Sequence, residues 1–186
     1  MTKDSDRNLS AVNKPNIKLI DNFILNSDLL CDRLKNNVVW DERLKQRKTA
    51  SYGVAYNYSG ITYPDTPMPE ELISICHKIN STVGFMPNNC LLNYYPDGNS
   101  TMWYHSDTAQ ELVEGTGVAI VSLGAARFIS YRSKREPSIK YRYQLNSGAF
   151  LYMNDSVQAN WMHAIPKQKD TGARISLTFR QIIKND

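Results

Sequence analysis

The sequence predicts a mainly β domain, a sandwich or barrel, with two helices ahead of most of the strands. From Cys90 onward, six short β-rich runs follow one another and are separated by turn signals such as Pro96-Asp97-Gly98 and Thr171-Gly172. Upstream, two segments carry apolar residues at helical spacing. With 186 residues, of which 41% are hydrophobic, the chain is long enough to bury a core without disulfides or a structural metal.

The elements are predicted in chain order. Residues 1–16 are polar and aperiodic, which predicts a flexible tail before a single domain over 17–186. Ser27 is the predicted cap of a first helix, and Pro69 is the predicted start of a second. Between them, glycine and proline interrupt an aromatic stretch, which favours loop or strand over helix. The six β-rich runs are CLLNYY, GVAIVSL, RFISYR, YRYQL, AFLYM and RISLTFRQII.

Composition excludes some classes of protein. No apolar run approaches the roughly 20 residues that span a bilayer, so we expect no membrane segment. The polar N-terminus lacks the apolar core of a secretory signal. The three cysteines, an odd number without C-x-x-C spacing, are typical of a reducing compartment, so we expect a cytoplasmic protein, monomeric by default. The net charge of +4 permits contact with nucleic acid but does not require it.

A candidate metal site lies in the β-rich half. His105 and Asp107 form an H-x-D pair after a strand, and residues two apart in extended chain project to the same side. His163 is the remaining histidine in this half. Together they would form the two-histidine, one-carboxylate triad of non-haem iron(II) oxygenases. Alone, H-x-D is also common as a structural loop pair.

The last predicted strand alternates strictly. Arg174, Ser176, Thr178 and Arg180 share one face, and apolar residues form the other. Buried arginines need anionic partners, and a dicarboxylate would supply two. A solvated polar face would explain the same alternation. Asn93 and Tyr95 also share a face and can donate hydrogen bonds in the same cavity, although Tyr95 also fits an ordinary core position.

Taken in order, N-x-Y, H-x-D, SLGAAR, W-x-H-x-I-P and R-I-S-L-T-F-R resemble the AlkB-type iron(II)/2-oxoglutarate-dependent dioxygenases. The resemblance runs from about residue 48 to residue 182. It implies a double-stranded β-helix, or jelly roll, with the N-terminal helices supporting one sheet. The core would cover 90–182, and a substrate-recognition lid would cover about 48–68.

The resemblance also implies the roles of individual residues. His105, Asp107 and His163 would bind iron(II). The 2-oxoglutarate cosubstrate would be held by Asn93, Tyr95, Arg174, Ser176 and Arg180, with Ser176 standing where many relatives have asparagine. The substrate would lie beside Tyr52, Tyr56 and Tyr58. With O2 as oxidant, the implied reaction is oxidative dealkylation of N-alkylated nucleobases in DNA or RNA, with 2-oxoglutarate converted to succinate and carbon dioxide.

Three hypotheses for the function remain open, and two of them differ in the substrate. Trp103, Arg127 and Arg132 are further candidate substrate contacts. Single-stranded or flipped-base nucleic acid is favoured by the basic cluster that includes Arg127 and Arg132, although such a cluster is also typical of a solvated hairpin. A small molecule, amino acid or peptide is favoured by Ala109, where several repair relatives have an acidic residue, and by the bulky residues before His105. A non-catalytic barrel that binds nucleic acid is the third.

Overall fold

The computed structural model describes residues 14–107 and 111–184, and the predicted 1–16 tail therefore lies almost wholly outside the described residues. Among these residues, the strands and helices follow in this order: β1 (Ile17–Ile20), α1 (Ser27–Asn37), β2 (Lys48–Gly53), β3 (Tyr56–Tyr58), β4 (Ile61–Tyr63), α2 (Glu70–Val83), β5 (Asn89–Tyr95), β6 (Met102–His105), β7 (Val118–Gly124), β8 (Arg127–Ser133), β9 (Lys140–Leu145), β10 (Phe150–Met153), α3 (Asp155–Asn160), β11 (Trp161–Ile165) and β12 (Arg174–Arg180).

Two antiparallel sheets form the jelly roll that the resemblance implies. The six-stranded sheet has the order β1-β10-β7-β12-β5-β2, and the four-stranded sheet has the order β6-β11-β8-β9. One apolar cluster joins the facing sides of the two sheets and includes Ile120, Leu151, Ile129 and Trp161. The functional side chains lie at one end of this interior.

The helices support the six-stranded sheet from outside. Apolar residues of α1 and α2, such as Leu34 and Ile79, pack against Leu177 and Phe179 of β12 in a second cluster. The predicted cap of α1 is wrong, because the helix is preceded by Asn26 and Ser27 is already its first residue. None of the helices in the described ranges is long and apolar enough to cross a membrane.

Strand β12 lies at the centre of the six-stranded sheet, between β7 and β5. All seven of its residues are buried. Ile175, Leu177 and Phe179 face the helices, so the alternate residues face the four-stranded sheet. The alternative of a solvated polar face is therefore wrong, and the two arginines of β12 point into the interior.

A small hairpin forms the middle of the predicted lid. Strands β3 and β4 pair Tyr56 with Tyr63, and the turn residues Ser59 and Gly60 have φ values of 51° and 76°. Positive φ at both central residues is typical of the type I′ turn that matches the twist of a two-residue hairpin. The hairpin carries Tyr56 and Tyr58 to the open end of the sheets.

Candidate active site

Three potential metal ligands converge at the edge of the four-stranded sheet. Antiparallel pairing of β6 with β11 sets His105 directly opposite His163, and their ring centroids lie 4.2 Å apart. Asp107 follows two residues after His105. The ligand atoms of the three side chains all lie within 4.8 Å of one another. The strand register thus assembles the predicted triad.

His105 has a ring nitrogen available for a metal, and His163 is held in its neutral form. The Nδ1 atom of His105 lies 2.9 Å from the backbone oxygen of Trp103. A proton on Nδ1 satisfies that carbonyl, and it leaves the lone pair of Nε2 for a metal. Burial, with the neighbouring His105 as a further cause, lowers the pKa of His163 to about 3. His163 is therefore neutral at physiological pH, as a ligand must be.

The carboxylate of Asp107 is fixed by two residues. Burial would raise its pKa, but the Arg180 guanidinium and both histidines outweigh burial and hold the pKa at about 2. Arg180 donates from Nη2 to Oδ1 of Asp107. Gln158, at the end of α3, accepts from the backbone N–H of Asp107 at 3.1 Å and donates to its Oδ2 at 3.4 Å. Two imidazoles and one oriented carboxylate fit iron(II).

A cavity between the sheets adjoins this triad. Among its lining residues are Asn93 and Tyr95 of β5, Ser176 and Arg180 of β12, and both histidines of the triad. Asn93 and Tyr95 are almost fully buried, so the polar groups that they add to the cavity wall are shielded from water. Four of the five residues predicted to hold 2-oxoglutarate therefore line one space.

The fifth, Arg174, lies directly behind that wall. Its guanidinium is fully buried, 5.3 Å from the ring centroid of Tyr95, and its Nε donates to Ser122 Oγ at 2.8 Å. Its Nη1 has no hydrogen-bond partner among the described residues. Burial lowers the pKa of Arg174 to about 10, which still leaves it protonated at neutral pH. A buried cation with an unpartnered donor needs an anion, and a carboxylate of 2-oxoglutarate meets that need.

Arg180, which is predicted to bind the cosubstrate, also contacts a metal ligand. It forms an ion pair with Asp107, and its guanidinium lies 4.8 Å from the ring centroid of Tyr56. Its Nε also has no hydrogen-bond partner among the described residues. Arg180 thus ties the metal ligand to β12 and still faces the cavity.

An open cleft of about 400 Å³ leads to the triad from the lid side. Its walls include Tyr56 and Tyr58 of the lid and Trp103, His105 and Asp107. The Tyr56 and Tyr58 rings stack at 6.1 Å, and Trp103 is 75% exposed at the rim. The cleft is therefore aromatic, and it ends at two of the three metal ligands.

Arg47 connects the cleft with the cavity, and sequence reasoning did not assign it to the site. Its Nη2 donates to Tyr58 Oη at 2.7 Å, and its Nε donates to Asn93 Oδ1 at 2.8 Å. In the sequence it was only one member of a charged cluster. Its burial, with 8% of the residue exposed, is the signal that the sequence could not supply.

Comparisons with known proteins agree with this geometry. The family model of the 2OG-Fe(II) oxygenase superfamily matches residues 31–180. The chain belongs to this superfamily, as an AlkB-type member. It is 35% identical over 148 residues to the DNA oxidative demethylase ALKBH2 of Homo sapiens, covering 74% of this chain and 57% of that protein. It is 30% identical over 177 residues to the alpha-ketoglutarate-dependent dioxygenase alkB homolog 3 of Rattus norvegicus, covering 84% and 60%.

The AlkB-type fold is also found in a solved structure of OsALKBH1. The two structures match with a TM-score of 0.67 at 17% sequence identity, and the match covers 92% of this chain and 99% of the OsALKBH1 chain. The chain spans only 53% to 62% of the length of the ALKBH2 relatives that it matches.

Two residues predicted to contact substrate lie elsewhere in this AlkB-type fold. Tyr52 packs against the helix-side core, because β2 pairs it with the buried Cys90. Arg127 is fully buried, and it donates hydrogen bonds to the backbone oxygens of Asp97, Ser100 and Pro166. Tyr52 therefore supports the sheet, and Arg127 ties loops together. Neither faces the cleft.

Arg132 and Ala109 are the remaining positions that the sequence analysis linked to the substrate. Arg132 lies on the outer side of the four-stranded sheet, with its guanidinium 4.4 Å from the ring centroid of Tyr104. Tyr104 in turn lines the cleft, so Arg132 is one residue removed from it. Ala109 lies outside the described residues.

Proposed function

We propose that this protein is an iron(II)- and 2-oxoglutarate-dependent dioxygenase that oxidatively dealkylates N-alkylated nucleobases in DNA or RNA. The observation that carries the proposal is the position of the His105, Asp107 and His163 triad. It lies between an aromatic cleft and a shielded cavity, and behind that cavity is the buried Arg174, whose Nη1 has no hydrogen-bond partner among the described residues. The names of the relatives, DNA oxidative demethylase and alkB homolog 3, support the same chemistry.

Iron(II) would be held by the free Nε2 of His105, the carboxylate of Asp107 and the imidazole of His163. When bound, iron with 2-oxoglutarate and O2 supplies oxidation of a substrate C–H bond, coupled to conversion of 2-oxoglutarate to succinate and carbon dioxide. The buried cationic side of the cavity supports binding of the cosubstrate carboxylates by Arg174, Asn93 and Tyr95.

The lid supports a base as the substrate. Burial raises the pKa of Tyr56 to about 12, so its hydroxyl keeps its proton and its ring stays uncharged at neutral pH. The stacked rings of Tyr56 and Tyr58 offer a π surface to a planar base, including one made cationic by alkylation. Arg47 bonds to both Tyr58 and Asn93, so it would couple lid position to the occupied cavity.

A reducing compartment such as the cytoplasm is part of the proposal. The three cysteines, Cys31, Cys76 and Cys90, are all buried and free. Unpaired buried thiols are typical of proteins that work where thiols stay reduced.

The proposed reaction is tested with single-stranded oligonucleotides that carry one 1-methyladenine. Iron-loaded protein should release formaldehyde and succinate in equal amounts and restore the unmodified mass of the oligonucleotide. The variant His105→Ala should form neither product, whereas His77→Ala, at an exposed position of α2, should react as the wild type does.

Two results would contradict the proposal. Succinate formation that methylated oligonucleotides do not stimulate, but that amino acids or peptides do, would show a hydroxylase of small substrates. An iron-loaded protein that consumes no 2-oxoglutarate under any of these conditions would be a binding protein.

A further inference from the structure

The outer side of the four-stranded sheet carries a distinct set of side chains, here called the outer sheet face. In β8, Ile129 and Tyr131 point into the core, so their neighbours point outward. Strand register places Arg132 beside Lys140 of β9 and beside Met162 of β11. The outer sheet face comprises Tyr104, Phe128, Arg132, Lys140, Arg142 and Met162.

The charge of this sheet is entirely positive. Its four strands, all of them described, contain no aspartate or glutamate but carry Arg127, Arg132, Lys140 and Arg142. Arg127 is buried on backbone carbonyls, which leaves three cations on the outer sheet face. The salt bridges found within the described ranges involve other residues. The outer sheet face therefore has no anion of its own.

Each of the two arginines of the outer sheet face lies over an aromatic ring. Arg132 lies 4.4 Å from the ring centroid of Tyr104, and Arg142 lies 4.3 Å from that of Phe128. A stacked guanidinium keeps its in-plane N–H groups free at its edge, where they can pair with phosphate oxygens. The one hydrogen bond that Arg132 makes within the described part of the chain is to Met162 Sδ at 3.5 Å, a weak acceptor.

The outer sheet face is continuous with the proposed active site. Trp103 and Tyr104 line the cleft, and both belong to β6, which ends at the metal ligand His105. From β6 the four strands extend about 15 Å to β9. A chain whose reactive base enters the cleft would therefore pass the exposed indole of Trp103 before crossing the three cations.

We infer that the outer sheet face binds the sugar-phosphate backbone of a single strand of nucleic acid on one side of the base that enters the cleft. Arg132, Lys140 and Arg142 neutralise its phosphates, and Trp103 stacks on the adjacent unpaired base. An exposed aromatic ring at the rim next to a cationic path is the combination that single strands use, since bases in a duplex are already stacked. The inference rests on the proposed nucleic-acid substrate.

The test compares two double variants that lose the same charge. Lys140→Gln with Arg142→Gln neutralises the outer sheet face, and Arg33→Gln with Lys35→Gln neutralises two exposed positions of α1, on the far side of the six-stranded sheet. The Kd for an unmodified single-stranded oligonucleotide is measured by fluorescence anisotropy at several salt concentrations. The first pair should reduce the slope of log affinity against log salt by about 1.4 and weaken binding about tenfold or more at low salt. The α1 pair should change neither.

The role of Trp103 is tested separately. Trp103→Ala should weaken single-strand binding between about fivefold and a hundredfold, and Trp103→Phe should retain most of the affinity because the ring still stacks. All variants should melt within a few degrees of the wild type and bind 2-oxoglutarate normally in the presence of iron(II). If a double variant fails to fold, Lys140→Gln alone should reduce the salt slope by about 0.7.

Several outcomes would overturn the inference. These are an unchanged salt slope in the Lys140 and Arg142 variant, an equal loss in the α1 control, and tighter binding of duplex than of single strand by the wild type. Its failure is distinguishable from failure of the proposed function. If the wild type dealkylates the methylated oligonucleotide but the outer-sheet-face and Trp103 variants bind single strands as tightly as it does, only the role of the outer sheet face is refuted. If the wild type does not dealkylate the oligonucleotide, the proposed function is refuted.

Discussion

At the scale of single residues, the metal ligands depend on partners that touch no metal. The side-chain amide of Gln158 bonds to both the backbone N–H and the carboxylate of Asp107. Arg180 forms an ion pair with the same carboxylate. Such partners fix the direction of a ligand's lone pairs and its charge. Gln158 is therefore a positioning residue, which acts on iron only through Asp107.

Replacing Gln158 with leucine should lower the affinity for iron(II) about 10- to 100-fold, because Asp107 loses both contacts with the amide. The measurement is anaerobic titration of the metal-free protein with iron(II) or cobalt(II). Gln144→Leu is the matched control, since the Gln144 amide is exposed and bonds to Asn146 at 2.9 Å. Equal metal affinity in the two variants would show that Gln158 does not position the ligand.

At the scale of elements, Gly53 fixes the lid to the sheet. It ends β2 with a φ of 87°, and a Cβ there would lie 2.0 Å from the backbone oxygen of Asn88. Its N–H also donates to the backbone oxygen of Thr66 at 2.6 Å, beyond the lid hairpin. The positive φ and the close approach of the Asn88 carbonyl together require glycine at this position.

Gly53→Ala should lower the free energy of unfolding by more than Gly60→Ala does. Both alanines adopt a left-handed backbone conformation, which costs roughly 1–2 kcal/mol. Only Gly53 adds a collision with a carbonyl, whereas Gly60 has open space around it. Urea denaturation of the two variants measures the difference. Equal losses of unfolding free energy would show that the backbone around Gly53 shifts to accept the added Cβ at no cost.

The success of sequence reasoning also varied by element. Alternation predicted the faces of β12, because a central strand between helices and a second sheet must sort its side chains by face. The resemblance placed Tyr52 beside the substrate, but β2 pairs Tyr52 with the buried Cys90, and Tyr52 packs against the helix-side core. The basic cluster suggested Arg127 as a substrate contact, but backbone carbonyls of residues 97, 100 and 166 bind its buried guanidinium. Pairings between distant segments decide these positions, and local patterns do not contain them.

At the scale of the whole molecule, the jelly roll buries two titratable metal ligands. The pKa of His163 is about 3, below the ordinary value of 6.5, and that of Asp107 is about 2, below the ordinary value of 3.8. In acid, the unfolded chain therefore binds protons at both residues before the folded protein does. By linkage, acidification must destabilise the metal-free fold.

The free energy of unfolding of the chelator-treated protein should fall as the pH is lowered from about 6.5 toward 4, because His163 stays neutral in the fold but takes up a proton when unfolded. The Asp107 contribution is present above a pH of about 4 and should be lost between about 4 and 2. Urea denaturation at a series of pH values measures both. His163→Asn should flatten the upper part of the profile, and His77→Asn should not. A wild-type profile flat from pH 6.5 to 4 would contradict the burial of a neutral His163.

The central claim is that one triad and one cationic cavity together hold iron(II) and 2-oxoglutarate. Anaerobic titration of the iron(II)-loaded protein with 2-oxoglutarate, followed by the visible charge-transfer absorption of the chelate, tests it most directly. The account predicts a band that saturates at one equivalent, that needs much more 2-oxoglutarate in Arg174→Gln, and that is absent from His105→Ala. A wild type that binds iron(II) but develops no band at any 2-oxoglutarate concentration would contradict it.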